Sequence, residues 1–117
     1  MSSALDEYKV LIEEPAQQDL RDIYKYIAET LTEPQIAARL VGSIREEIES
    51  LDRMPERFPL YDSQPWRSRD IRRLNVGNFA AFYVVVKDNR TVSVLAVMYS
   101  GRNIDEILIK KLNLNVY

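Results

Sequence analysis

Eight consecutive residues, Phe79-Ala-Ala-Phe-Tyr-Val-Val-Val86, carry no polar group except the Tyr83 hydroxyl. A run of that length, rich in aromatic and β-branched side chains, reads as a central strand with little solvent exposure. Such a strand needs neighbours, and the flanking sequence supplies them. Gly77-Asn78 before the run and Lys87-Asp88-Asn89-Arg90 after it are turn signals. Arg69–Val76 and Thr91–Tyr99 then read as the two outer strands of a meander.

The first half of the chain has a different period. Tyr8–Glu13 reads as a short strand with an apolar centre. After Pro15, apolar residues recur at Ala16, Leu20, Ile23, Tyr24, Ile27 and Leu31, in the three-and-four steps of an amphipathic helix. Thr32-Glu33-Pro34 punctuates it, with Thr32 or Glu33 able to cap and Pro34 suited to a helix start. A second helix runs from Pro34 to about Met54 on the stripe Ala37, Leu40, Val41, Ile44, Ile48 and Leu51. Prolines 55, 59 and 65 make the next segment a loop. Asn103 is a fair N-cap for a last helix carrying Ile104, Ile107, Leu108 and Leu112. The order β-α-α-β-β-β-α predicts an α+β domain, its helical hairpin packed on one face of a small, largely antiparallel sheet. At 117 residues the chain suits a single domain, 1–117, around one core.

Composition removes several chemistries. With no Cys and no His, disulfides, thiol nucleophiles, the usual zinc sites and histidine acid–base catalysis are excluded. No metal and no cofactor are expected. Three glycines in the whole chain make a phosphate-cradling loop implausible. No apolar run is long enough to span a membrane, and Met1–Tyr8 lacks the basic and apolar regions of a signal peptide. A cytoplasmic protein without membrane contact is the expectation.

The net charge of −2 conceals a division: residues 1–62 balance at −7 and residues 63–117 at +5. Four arginines, at 67, 69, 72 and 73, fall within eight residues beside Trp66. On a regular strand Arg72 shares a face with Leu74 and Val76, while Arg69, Ile71 and Arg73 share the other. If Leu74 and Val76 point at the helices, Arg69 and Arg73 project from the uncovered face, where Arg102 could join them. Guanidinium groups suit phosphate because their planar fork donates in pairs and stays charged. The alternative is that these arginines pair with the acidic helices or sit in water. Tyr83, inside the most apolar strand, reads as a core tyrosine with a bonded hydroxyl. Tyr99, at a strand end beside Ser100-Gly101-Arg102, has a better location for a site residue. Glu46, Glu47 and Glu49 read as a solvated helix face.

Several segments together resemble the RelE/ParE superfamily of toxins from bacterial type II toxin–antitoxin systems. They are Ala16-x-x-Asp19-Leu20-x-x-Ile23-x-x-Tyr26-Ile27, Leu51-x-x-x-Pro55, Ile71-Arg72-Arg73-Leu74 leading into Phe79–Tyr83, and Tyr99-Ser100-Gly101-Arg102-Asn103. The resemblance covers about residues 8–108 and rests on the order and spacing of these motifs. It implies a growth-arresting toxin, of the kind tied to plasmid stabilization, neutralised by a cognate antitoxin and meeting DNA only through it. It also implies one of two targets. RelE-like members are mRNA interferases that cut mRNA on the ribosome through attack by the ribose 2′-OH. ParE-like members are gyrase inhibitors with no cleavage chemistry of their own. For the nuclease reading, Arg73, Arg102 and Tyr99 stand at catalytic positions, with Arg69 and Arg72 as substrate-binding arginines. That set is thin. Ala80 stands where such nucleases often carry a basic residue, Tyr99 where many have histidine, and Gly101 where many have another basic residue. Phe79–Tyr83 and Tyr99–Asn103 are similar to ParE-like sequences. A RelE/ParE-like interaction module without catalytic activity is the further alternative.

Overall fold

A computed structural model describes residues 7–112. Strand β1 (Lys9–Ile12) is followed by helix α1 (Glu14–Lys25), a π-helical turn (Tyr26–Thr30) and helix α2 (Pro34–Glu49). Strands β2 (Arg72–Val76), β3 (Phe79–Val86) and β4 (Thr91–Tyr99) form the meander, and helix α3 (Ile104–Lys111) follows. The sheet order is β1-β4-β3-β2, with β1 parallel to β4 and the other pairs antiparallel. The α+β architecture therefore matches the sequence expectation. Pro15 and Pro34 sit in the first turns of α1 and α2, where a missing N–H costs nothing. Gly77, at φ +58°, turns β2 into β3. Asn103 caps α3, its side-chain oxygen accepting from the Glu106 N–H.

Four local expectations are corrected. Neither Thr32 nor Glu33 caps α2 through its side chain: Thr32 takes a left-handed conformation, and its hydroxyl donates to the Leu31 carbonyl. The first helix does not continue in regular form to Leu31 but widens at Tyr26 into the π-helical turn. The second leaves α-helical geometry at Glu49, passes through a 3₁₀ turn at Ser50–Asp52, and reaches left-handed Met54 ahead of Pro55. The strand expected from Arg69 begins at Arg72 instead. Arg67–Arg69 form a 3₁₀ turn closed by Asp70 at φ +60°, which no strand accommodates.

The sheet also has two covered faces rather than one. Leu74, Ala81, Tyr83, Val92, Val94 and Val97 pack beneath α1 and α2 with Ala16, Leu20, Ile44 and Ile48. On the other face Ile71, Ala80, Phe82, Ala96 and Met98 pack with Ile104 and Leu108 of α3 and with Trp66. Trp66 is fully buried. The face expected to be open is thus largely closed by α3 and the loop ahead of β2. This second core is why the β3 run carries no polar alternation. The β3–β4 register shifts between Phe82 and Tyr83, leaving Leu95 as the extra residue of a bulge in β4. Val92 and Val94 face the hairpin before the bulge, and Val97 and Tyr99 face it afterwards.

Tyr83 lies in the first core, fully buried, and its hydroxyl donates to the Pro55 carbonyl at 2.6 Å. Burial pushes its phenol up to about 12, against the pull of Arg72 and Arg57. The folded state therefore favours the neutral phenol. Relative to an ordinary tyrosine near 10, this contributes about 2–3 kcal/mol below pH 10, lost as pH rises through 12. Denaturation of Tyr83→Phe should accordingly show a smaller loss of stability between pH 10 and 12 than the unsubstituted chain. At pH 7 the variant should be less stable by about 1–2 kcal/mol, because the Pro55 carbonyl loses its donor. Parallel alkaline profiles for the two proteins would contradict this.

Candidate functional site

Arg73 projects from β2 toward the α3 side. Its guanidinium carbon stands 5.7 Å from the centre of the Tyr61 ring and 5.8 Å from that of Phe82. Nε donates to Asn75 Oδ1 at 2.9 Å. Phe58, Pro59, Leu60, Tyr61, Asp62 and Asn75 line a recess of about 350 Å³ with it. The charge is held against aromatic faces, and Arg73 forms no ion pair among the described residues.

Tyr61 itself is fixed from below. Its hydroxyl donates to Asp105 Oδ1 at 3.1 Å, and the same carboxylate accepts from Ser63 Oγ at 3.0 Å and Trp66 Nε1 at 3.0 Å. Burial, then the neighbouring Asp105 carboxylate, raises the Tyr61 phenol above its ordinary range. Asp105 thus ties the first turn of α3 to the loop that supports Arg73.

Arg72 points the opposite way, toward the hairpin side. It donates to the carbonyls of Phe58 at 2.6 Å and Glu56 at 3.2 Å, and pairs with the Glu56 carboxylate at 3.7 Å. Its donors are committed to the chain's own loop. Arg69 is exposed on the 3₁₀ turn, away from the strand alternation expected for it.

Tyr99 and Arg102 belong to a different place. Tyr99 meets Phe79 edge to face, with ring centres 5.8 Å apart, and is 49% exposed. The Arg102 N–H closes a turn onto the Tyr99 carbonyl at 3.1 Å. Both line a groove of about 740 Å³ along the edge of β4, walled by α1, the π-helical turn and α3. β1 covers that edge only as far as Val94. Beyond it, the Val97 N–H is taken by Asp19 Oδ2 at 2.8 Å. Asp19 is only 7% exposed, and its other oxygen accepts from the Lys111 ammonium. Burial raises the Asp19 carboxyl, against the pull of Lys111 and the Val97 N–H. A charged plug thus occupies an otherwise open strand edge.

The expected set is therefore split. Arg73 pairs in register with Phe82, which packs on the α3 side, whereas Tyr99 pairs with Phe79, which packs on the hairpin side. Two strands and three residues separate Arg73 from Tyr99, roughly 14 Å between Cα atoms for standard strand spacings. Ala80 is 1% exposed within the second core, so a basic residue there would be buried in apolar surroundings. Asp19, Lys111, Tyr61 and Asp105 were missed as contributors. Only Asp19 left a signal: it falls on the apolar stripe between Ala16 and Leu20, where a carboxylate requires partners.

The family model for the ParE toxin of type II toxin–antitoxin systems, parDE, matches residues 10–104. The chain belongs to the ParE toxin family. Among solved structures, it is similar to a chain of the chromosomal ParDE toxin–antitoxin system from P. aeruginosa. That match has 21% identity and a TM-score of 0.66, covering 80% of this chain and 97% of the other. A chain of the RelBE2 toxin–antitoxin complex from Mycobacterium tuberculosis matches at 19% identity and TM-score 0.56, covering 80% and 98%. Both likenesses are likenesses of fold. No curated protein matches the chain. Among the described residues of this ParE-family toxin, no cluster of three or more carboxylates could hold a metal ion. No helix there is long and apolar enough to cross a membrane.

Proposed function

We propose that this toxin arrests growth in the cytoplasm by poisoning DNA gyrase through protein contact, and not by cutting mRNA. The observation that carries the reading is the separation of Arg73, in the recess beside Tyr61, from Tyr99 and Arg102, in the groove along the edge of β4. Cleavage by a ribose 2′-OH needs proton transfer and cationic stabilisation around one phosphate. The titratable groups beside Arg73 serve that poorly. Tyr61 is held as a neutral phenol on Asp105, and Asp62 pairs with Arg67 at 3.5 Å. Membership of the ParE family supports the same choice of target. In this reading Arg73, an arginine on an aromatic bed, contacts the target protein.

The groove takes the antitoxin. One of the matched structures is a toxin–antitoxin complex, and the family is defined by such pairs. Ile23, Ile27, Leu31, Phe79 and Val97 give the groove an apolar floor, and exposed Arg102 stands at its rim. An amphipathic segment of the antitoxin fits that chemistry, its apolar side chains inward and a carboxylate on Arg102. DNA is met only through the antitoxin.

Purified toxin added to gyrase, ATP and relaxed plasmid provides the test. Loss of supercoiling, with linear DNA appearing on denaturation, is expected. Undisturbed supercoiling together with mRNA cut on toxin-treated ribosomes would overturn the proposal.

A further inference from the structure

Gly101 does not need the backbone freedom of glycine: its φ lies outside the left-handed region, unlike that of Gly77. What it provides is space. A Cβ on residue 101 would stand 2.5 Å from Tyr99 Cε2, 3.1 Å from Cδ2 and 3.2 Å from Cζ. Carbon atoms in contact prefer roughly 3.5–4.0 Å. The Tyr99 ring therefore lies directly against the Gly101 backbone. Its second support is the edge-to-face contact with Phe79 at 5.8 Å.

We infer that Gly101 is a positioning residue, seating the Tyr99 ring between itself and Phe79 as an aromatic shelf for an apolar side chain of the antitoxin. The inference rests on the reading of the groove as the antitoxin seat. The ring is half exposed at the groove wall beside Arg102. An exposed tyrosine is held loosely unless something flanks it, and a pre-positioned aromatic loses little freedom on binding. A methyl group at 101 is tolerated by the backbone, so its clash falls on the movable ring and not on the core.

The test uses the toxin and the protein encoded by the adjacent reading frame as the probe, with titration calorimetry on Gly101→Ala, Tyr99→Ala, the double variant and Leu31→Asp. Gly101→Ala should weaken binding at least tenfold, and the double variant should match Tyr99→Ala, because glycine acts only through the ring. Nuclear magnetic resonance adds an independent readout. The Gly101 Hα resonances should be displaced by the ring current of Tyr99 and return to ordinary values in Tyr99→Ala. Contacts between the Phe79 and Tyr99 rings should vanish in Gly101→Ala. Leu31 is a half-exposed groove residue that follows the π-helical turn and belongs to neither β4 nor the loop after it. Unchanged binding by Leu31→Asp would refute the groove reading itself. Weakened binding by Leu31→Asp with unchanged binding by Gly101→Ala would refute only the role of Gly101. So would additive losses in the double variant, or unshifted Gly101 resonances.

Discussion

Replacing Asp105 with alanine is expected to cost the fold about 3 kcal/mol, because one carboxylate serves three donors. Trp66 dominates the cost. Its side chain is fully buried, so the indole N–H would keep neither partner nor water. An orphaned buried donor costs about 1–3 kcal/mol. Tyr61 and Ser63 are half-buried and recover part of their bonding from water. Asp105 also stands in the first turn of α3, where a negative charge contributes about 0.3–1 kcal/mol against the helix dipole. Asp105→Asn keeps one acceptor oxygen and should lose about half as much. Urea denaturation of the two variants checks this. A loss below 1 kcal/mol for Asp105→Ala would mean that α3 is not held through this node.

The second large effect concerns activity. Arg73→Ala should abolish growth arrest while antitoxin binding stays unchanged. Truncating an interface arginine of this kind typically costs 2 kcal/mol or more, about thirtyfold in affinity. The fold should lose the stacking on Tyr61 and Phe82, about 0.5–1 kcal/mol, and an exposed hydrogen bond to Asn75 that water can replace. Preserved antitoxin binding follows from geometry, since the groove runs along the edge of β4, two strands away from β2, and shares no lining residue with the Arg73 recess. Induced expression followed by plating measures arrest, and co-purification with antitoxin measures binding. Arrest undiminished in Arg73→Ala would remove this residue from the target contact. Loss of both properties together would show that one surface serves both partners.

Much of the fold is legible because its causes are local. The apolar run of β3, the helical stripes of α1 and α2, Gly77 in its turn and Asn103 at its cap each act within a few residues. The site was harder to read because its causes are not local. Strict alternation from Val92 would have put Tyr99 on the same side as Arg73, and the extra residue Leu95 reverses that. A single left-handed residue, Asp70, takes Arg69 off the strand. Ala80 reads as a lost basic position, whereas the docking of α3 makes it a core position. The pair Asp19–Lys111 spans 92 residues of sequence, and the Trp66–Asp105 bond spans 39. No pattern within a helix or strand announces such partners, apart from a carboxylate lying on an apolar stripe.

The proposal of a gyrase poison rests on the separation of Arg73 from Tyr99 and Arg102 into two recesses. The most direct measurement is induced expression of the toxin in growing cells, with chromosome integrity and mRNA ends followed together. Double-strand breaks and a DNA-damage response, with mRNA left intact, are the predicted result. Cleavage of translated mRNA at codon positions, with an unbroken chromosome, would contradict it.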